Sequence, residues 1–182
     1  MQRIFGTACA LLALTIPNLM ISRQAVADEL KENSCQSVVG TYLATANFTN
    51  STGDVAKNFS ELITFNKDGN LIAIDANAGG DPDATSKNNQ PFGPVHGSWK
   101  CIGNQIVAKA FDFNYQTRAG LAPSITITTY KLIFHPKTQT VTGTASFDDY
   151  NINSTPQNPV LLPNTGGPFV VSNYLGNRIT PE

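Results

Sequence analysis

The side chains of this chain that are able to do chemistry are few, and none sits in a spacing that names a reaction. Both histidines fall at expected strand ends, His96 just ahead of Gly97-Ser98-Trp99 and His135 directly before Pro136. Neither accompanies a Gly-x-Ser-x-Gly elbow, so a Ser-His-Asp triad has no support in the sequence. Asp75, Asn77, Asp81 and Asp83 offer oxygen ligands at short intervals. The glutamate that closes a calcium loop at its twelfth position is replaced by Ser86, and the segment reads as a solvated turn. Asp148-Asp149 is ambiguous in the same way, with less support. No metal, no cofactor and no catalytic residue is assigned from these patterns.

The segment from Gln105 to Tyr115 is more informative. Val107, Lys109, Phe111, Phe113 and Tyr115 share one face of an alternating strand, and Ile106, Ala108, Ala110, Asp112 and Asn114 share the other. If the second face points inward, its alanines leave space and Asp112 and Asn114 supply polar anchors. That is how a ligand pocket in a barrel is built, and Ala108, Ala110, Asp112 and Asn114 are the candidate ligand-binding residues. Buried area argues the other way, because Phe111 and Phe113 bury more surface than alanines and would leave Asp112 and Asn114 in solvent.

The elements that position these residues are strands. From residue 37 onward apolar residues recur with a period of two. Strands are expected over Ser37–Phe48, Glu61–Asn66, Asn70–Asn77, Val95–Cys101, Gln105–Tyr115, Ser124–His135, Thr140–Asp148 and Pro168–Asn173. Lys67-Asp68-Gly69 is a hairpin turn with glycine placed for a positive φ. Ala78–Pro94 and Asn151–Gly167 do not alternate and read as a long loop and an irregular crossover, while 51–58 has room for one helical turn. Serial hairpins without intervening helices predict an all-β fold. An eight-stranded antiparallel up-and-down barrel fits best, because closure removes exposed edges.

At this level the chain resembles the calycin superfamily of lipocalin-like small barrels. Gly40-Thr41-Tyr42 is similar to the Gly-x-Trp motif that opens the first lipocalin strand, and Arg178 is similar to the arginine that covers that ring. A second Gly-x-Trp lies at Gly97-Ser98-Trp99. The resemblance implies barrel closure by Gly40, Tyr42 and Arg178, and a small apolar or amphipathic ligand in the barrel cavity. Allene oxide cyclase-like barrels share the architecture. They imply the alternative of an isomerase or cyclase acting on a hydrophobic substrate. A third reading is a structural or host-facing interaction protein with a filled barrel.

The N-terminus bears on destination. Arg3 precedes an apolar run from Phe5 to Met20, and Ala25-Val26-Ala27 gives the small-x-small pattern of signal peptidase ahead of Asp28. Residues 1–27 therefore read as a cleaved signal peptide and 28–182 as one domain, exported to a periplasm or secreted. Cys9 leaves with the leader, so Cys35 and Cys101 remain as the expected disulfide. Loss of Arg3 and Arg23 takes the formal net charge from −1 to −3. That balance argues against nucleic acid, and no further apolar run is long enough to insert the mature chain in a membrane. N-terminal sequencing of protein from its own host should begin at Asp28, within a residue or two; an intact leader on the exported protein would overturn this processing.

Overall fold

The computed structural model describes residues 35, 37–49, 55–85, 89–155, 157–163 and 169–181. The leader and its cleavage site lie outside the described residues. Eight strands follow one another: β1 (Gly40–Thr49), β2 (Val55–Phe65), β3 (Asn70–Asp75), β4 (Val95–Ile102), β5 (Gln105–Asn114), β6 (Ser124–His135), β7 (Thr140–Asn151) and β8 (Phe169–Arg178). Each pairs antiparallel with the next, and β8 returns to β1, so the sheet is a closed up-and-down barrel. Closure gives every strand one face toward a shared interior, which is why the period-two pattern dominates the sequence.

The expected turn at Lys67-Asp68-Gly69 forms as anticipated. Gly69 takes φ +84°, and the Asp68 carboxylate accepts the Asn70 N–H at 3.0 Å. Three strands run clearly longer than the local pattern suggests, the first of them β7, which reaches Asn151 instead of Asp148. Residues 55–58, within the span expected to hold a helical turn, are strand paired to the far end of β1. Pairing along the whole of β1 outweighs a weak local preference. At the C-terminal end, β8 continues past Asn173 to Arg178. Asn173 adopts φ +55°, and the register against both β1 and β7 shifts beside it. This bulge absorbs the break in alternation, so Val171 and Tyr174 both point inward although three residues apart.

The two ends of the barrel differ. Three tight turns, the start of β1 and the end of β8 gather at one end, and aromatic side chains seal it. Tyr42 meets Phe65 and Phe134 edge-on at 5.9 and 6.5 Å, and Phe65 meets Trp99 at 5.6 Å. The Trp99 indole donates to the Asn66 carbonyl at 3.0 Å. The Arg178 guanidinium lies 5.4 Å from both the Tyr42 and the Phe134 ring centroids. It donates to the Ser37 and Val39 carbonyls at 2.6 Å each and to the Gln139 side-chain oxygen. Gly40 makes room for it. At φ +149°, a Cβ there would sit 3.0 Å from Arg178 Nε. The aromatic, the arginine and the glycine of the opening motif thus form one closure. Cys35 and Cys101 are bonded across the same end, with S–S 2.03 Å. A crosslink over 66 residues stabilises by roughly 4 kcal/mol in the chain-entropy account.

Arg178→Ala removes a cation over two rings and leaves carbonyl acceptors without their charged donor. It should cost about 2–4 kcal/mol in denaturant unfolding. A loss below about 0.5 kcal/mol would show that the seal does not depend on it.

Candidate functional site

The other end carries the longer connections, and there the barrel interior is polar. Gln90, from the loop after β3, donates to the carbonyls of Tyr115 and Ala122 at 2.8 and 3.1 Å. Thr117 donates to the Ala84 carbonyl at 2.9 Å. These bonds lash the 76–94 loop to the 115–123 loop, directly beyond the end of β5. Inward from them, β2 presents Glu61, β3 Asp75, β5 Asp112 and Asn114, β6 Ser124 and Thr126, and β7 Asp149.

Glu61 follows from strand parity. It shares a face with Ile63 and Phe65, both fully buried, and is itself only 5% exposed. Tyr174 from β8 donates to one of its carboxyl oxygens and Tyr130 from β6 to the other, the latter at 3.4 Å. The two rings meet edge-on at 6.0 Å. Burial raises the Glu61 pKa to about 7; Tyr174 opposes that, Asp75 adds to it, and Tyr130 opposes it again. Asp75 stands directly across the β2–β3 ladder from Glu61. Tyr130 and Tyr174 are pushed well above the ordinary tyrosine value, chiefly by burial and then by Glu61, so both remain donors.

Asp112 is also 5% exposed. Its pKa rises to about 7, first through burial, then through Asp149 and Asp75, against a hydrogen bond from its own backbone N–H. No other side chain bonds to it among the described residues. Asn114 has a defined orientation. Its amide nitrogen donates to Ser124 Oγ at 2.9 Å and Thr126 Oγ1 at 2.8 Å, and the Thr126 hydroxyl in turn donates to Asp149 Oδ1 at 2.7 Å. The apolar wall is made of small residues, with Ala46, Ala73, Ala108 and Ala110 all buried. A cleft of about 390 Å³ opens at the β1–β8 bulge, with Ala46 and Phe59 on its inner side and Thr45 and Leu175 at its lip. Phe59 is the inward neighbour of Glu61 on β2, and Asn173 of the cleft precedes Tyr174.

Ala108, Ala110, Asp112 and Asn114 are therefore together on the inward face. The expectation from buried area is corrected: Phe113 is 56% exposed, Tyr115 is exposed, and Phe111 is half-buried under the Lys109 ammonium at 5.8 Å. Area favours aromatics inside only when the interior is apolar, and at this level it is not. The histidines are outside the barrel and exposed, His135 bonding Thr142 at 2.8 Å. Of the acidic loop, Asp81 caps its own turn by accepting the Asp83 N–H at 2.8 Å, and Asp83 faces Arg118 at 3.5 Å. Sequence reasoning missed Glu61, Tyr130 and Tyr174. Parity with Ile63 and Phe65 was the available signal for Glu61, and nothing local marks Tyr174 beyond the bulge. No family model, curated protein or solved structure matches this chain.

Both raised carboxyls bind protons more tightly folded than unfolded. Their contribution to stability is therefore fullest below about pH 4 and is lost as pH rises to about 7, by about 1.4 kcal/mol for each tenfold difference in proton affinity. Asp112→Asn should raise the melting temperature strongly at about pH 8 and change it little at about pH 3.5, below the ordinary carboxylate value. Equal effects at both values would show that Asp112 is not a raised, buried acid.

Proposed function

We propose that this chain is an exported, calycin-like binding protein that holds a small amphipathic molecule in the loop-lined half of its barrel. The polar end of the ligand rests on Glu61, Asp112 and Asn114, and its apolar part lies against Ala46, Ala73, Ala108 and Ala110. One observation carries the reading: two carboxyls buried to 5% exposure with no described basic side chain acting on either. Burying an acid costs free energy that apolar side chains in the same positions would not, so a barrel filled only for stability has no use for them. The division of the barrel supports it too, since one end is sealed by aromatics and Arg178 while the other is ringed by loops. Closure by Gly40, Tyr42 and Arg178 supports the calycin-like assignment.

Linkage makes this measurable. A ligand bound only by the folded state raises the melting temperature in proportion to the logarithm of its excess concentration. Eight-carbon amphiphiles of different head group should include at least one that does so, with a change in tyrosine fluorescence from Tyr130 and Tyr174. Trp99 is part of the sealed end and should respond little. Ala110→Leu fills the wall and should abolish the shift. Silence from every amphiphile, with the wild-type protein folded, would favour the filled, structural barrel.

A further inference from the structure

We infer that the outer face of β1, β2 and β3 is the contact between two copies of this chain. Strand register sets its residues side by side. Leu43 pairs with Leu62 and Leu62 with Ile74, so three aliphatics form one row across the strands. The next row toward the sealed end runs Thr41, Thr64, Ile72. There the two threonine hydroxyls bond each other at 3.0 Å, so both are partnered within the row. Ile72, Leu62, Leu43 and Ile74 are 38, 42, 49 and 50% exposed. One such aliphatic on a surface is ordinary. Four in adjoining positions expose about 350 Å² of apolar surface, the size at which a patch marks a contact.

Charge identifies the partner. Around the four aliphatics, the described outward side chains of these strands are Thr, Ser and Asn, with no acid, lysine or arginine among them. Exposed Lys100, Lys109 and Lys131 lie instead on β4, β5 and β6, and Lys67 and Asp68 stand at the β2–β3 turn, on the rim of the face. Depletion of charge at the centre with a polar rim is the make-up of a protein interface. A different protein is selected by opposite charge, which this face does not offer, whereas two copies placed face to face meet no like charge. An anionic lipid surface would need the lysines that the barrel carries on its other side. Size agrees. With its Thr, Ser and Asn side chains the face amounts to about 600 Å² per copy, so an isologous pair buries about 1,200 Å², the lower bound of a stable specific interface. The cleft of about 390 Å³ adjoins it, since Thr45 and Ser60 on its lining are the next outward residues from Leu43 and Leu62. It gives side chains of the second copy a recess. The inference does not rest on the ligand reading, because this face is on the outside of the barrel wall.

Sedimentation velocity of the mature protein over about 1–200 µM tests the pairing. The mean mass should rise with concentration from one chain toward two. Leu62→Lys and Ile74→Lys each place an unpaired ammonium in the contact and should weaken association about tenfold or more, with circular dichroism and thermal melting confirming that they fold. Ile133→Lys adds the same charge to an aliphatic of β6 that is 38% exposed, as Ile72 is, and should leave association unchanged. A wild-type protein that stays monomeric through the series overturns the inference. So does a dimer that both face variants leave intact, because the contact would then lie elsewhere. A monomer that floats with phosphatidylcholine vesicles, and is released by Leu62→Lys, gives the face to a membrane and overturns the pairing too.

Discussion

Everything in this molecule depends on the pairing of β8 with β1. Until those strands meet, the alternation of side chains has two faces but no inside. Once they meet, one face of every strand borders the same lumen and its residues become mutual neighbours. Arg178 is placed at that seam. Through β8 it belongs to the C-terminal strand, and its hydrogen bonds reach the carbonyls of Ser37 and Val39 on the approach to β1. Its stacking on Tyr42 and Phe134 converts a backbone seam into a packed floor, and Gly40 is the space that the guanidinium requires.

Above that floor the barrel changes character. The sealed half packs as a protein core does, with fully buried Phe65, Leu132 and Val141 among its members. In the loop-lined half the arrangement is reversed: acids, tyrosine hydroxyls and an amide face inward, and several apolar side chains face out. Ile125 and Ile127 are buried on the outer side of β6, where Phe113 and Phe111 stand opposite them on β5. Free energy gained by the floor, the disulfide and this outer patch offsets the cost of the polar lumen. The division matches a general tension between stability and function, in which sites are the parts of a fold that stability alone would not have chosen.

The strands were legible in the sequence because alternation is a local property and closure repeats it eight times. The hairpin at Gly69 and the Cys35–Cys101 bond were legible for a similar reason, since each requires residue types that few other arrangements explain, whereas the Tyr42–Arg178 contact was expected only from the likeness of Gly40-Thr41-Tyr42 and Arg178 to the lipocalin closing pair. The site was half legible. Asp112 and Asn114 could be placed on one face together with Ala108 and Ala110, but which face pointed inward is a property of the closed sheet and not of β5. Glu61 and Tyr174 come from strands at opposite ends of the chain, 113 residues apart, and meet only through closure and a bulge at Asn173. No window along the sequence contains that encounter.

The floor also settles how this protein can be attached to anything else. Ile179 donates its N–H to the Thr41 carbonyl, and Arg178 reaches Ser37, so the chain enters and leaves the barrel side by side at the sealed end. A tether, fusion or neighbouring module joined at either side therefore hangs from the base, with the mouth left facing away from it. Displayed on a surface through either end, the barrel would stand upright like a cup on its foot. For the same reason the described entry at Ser37 and exit at Ile179 are close enough to be spliced together, and the chain reopened in one of the mouth loops, without unpicking the seam.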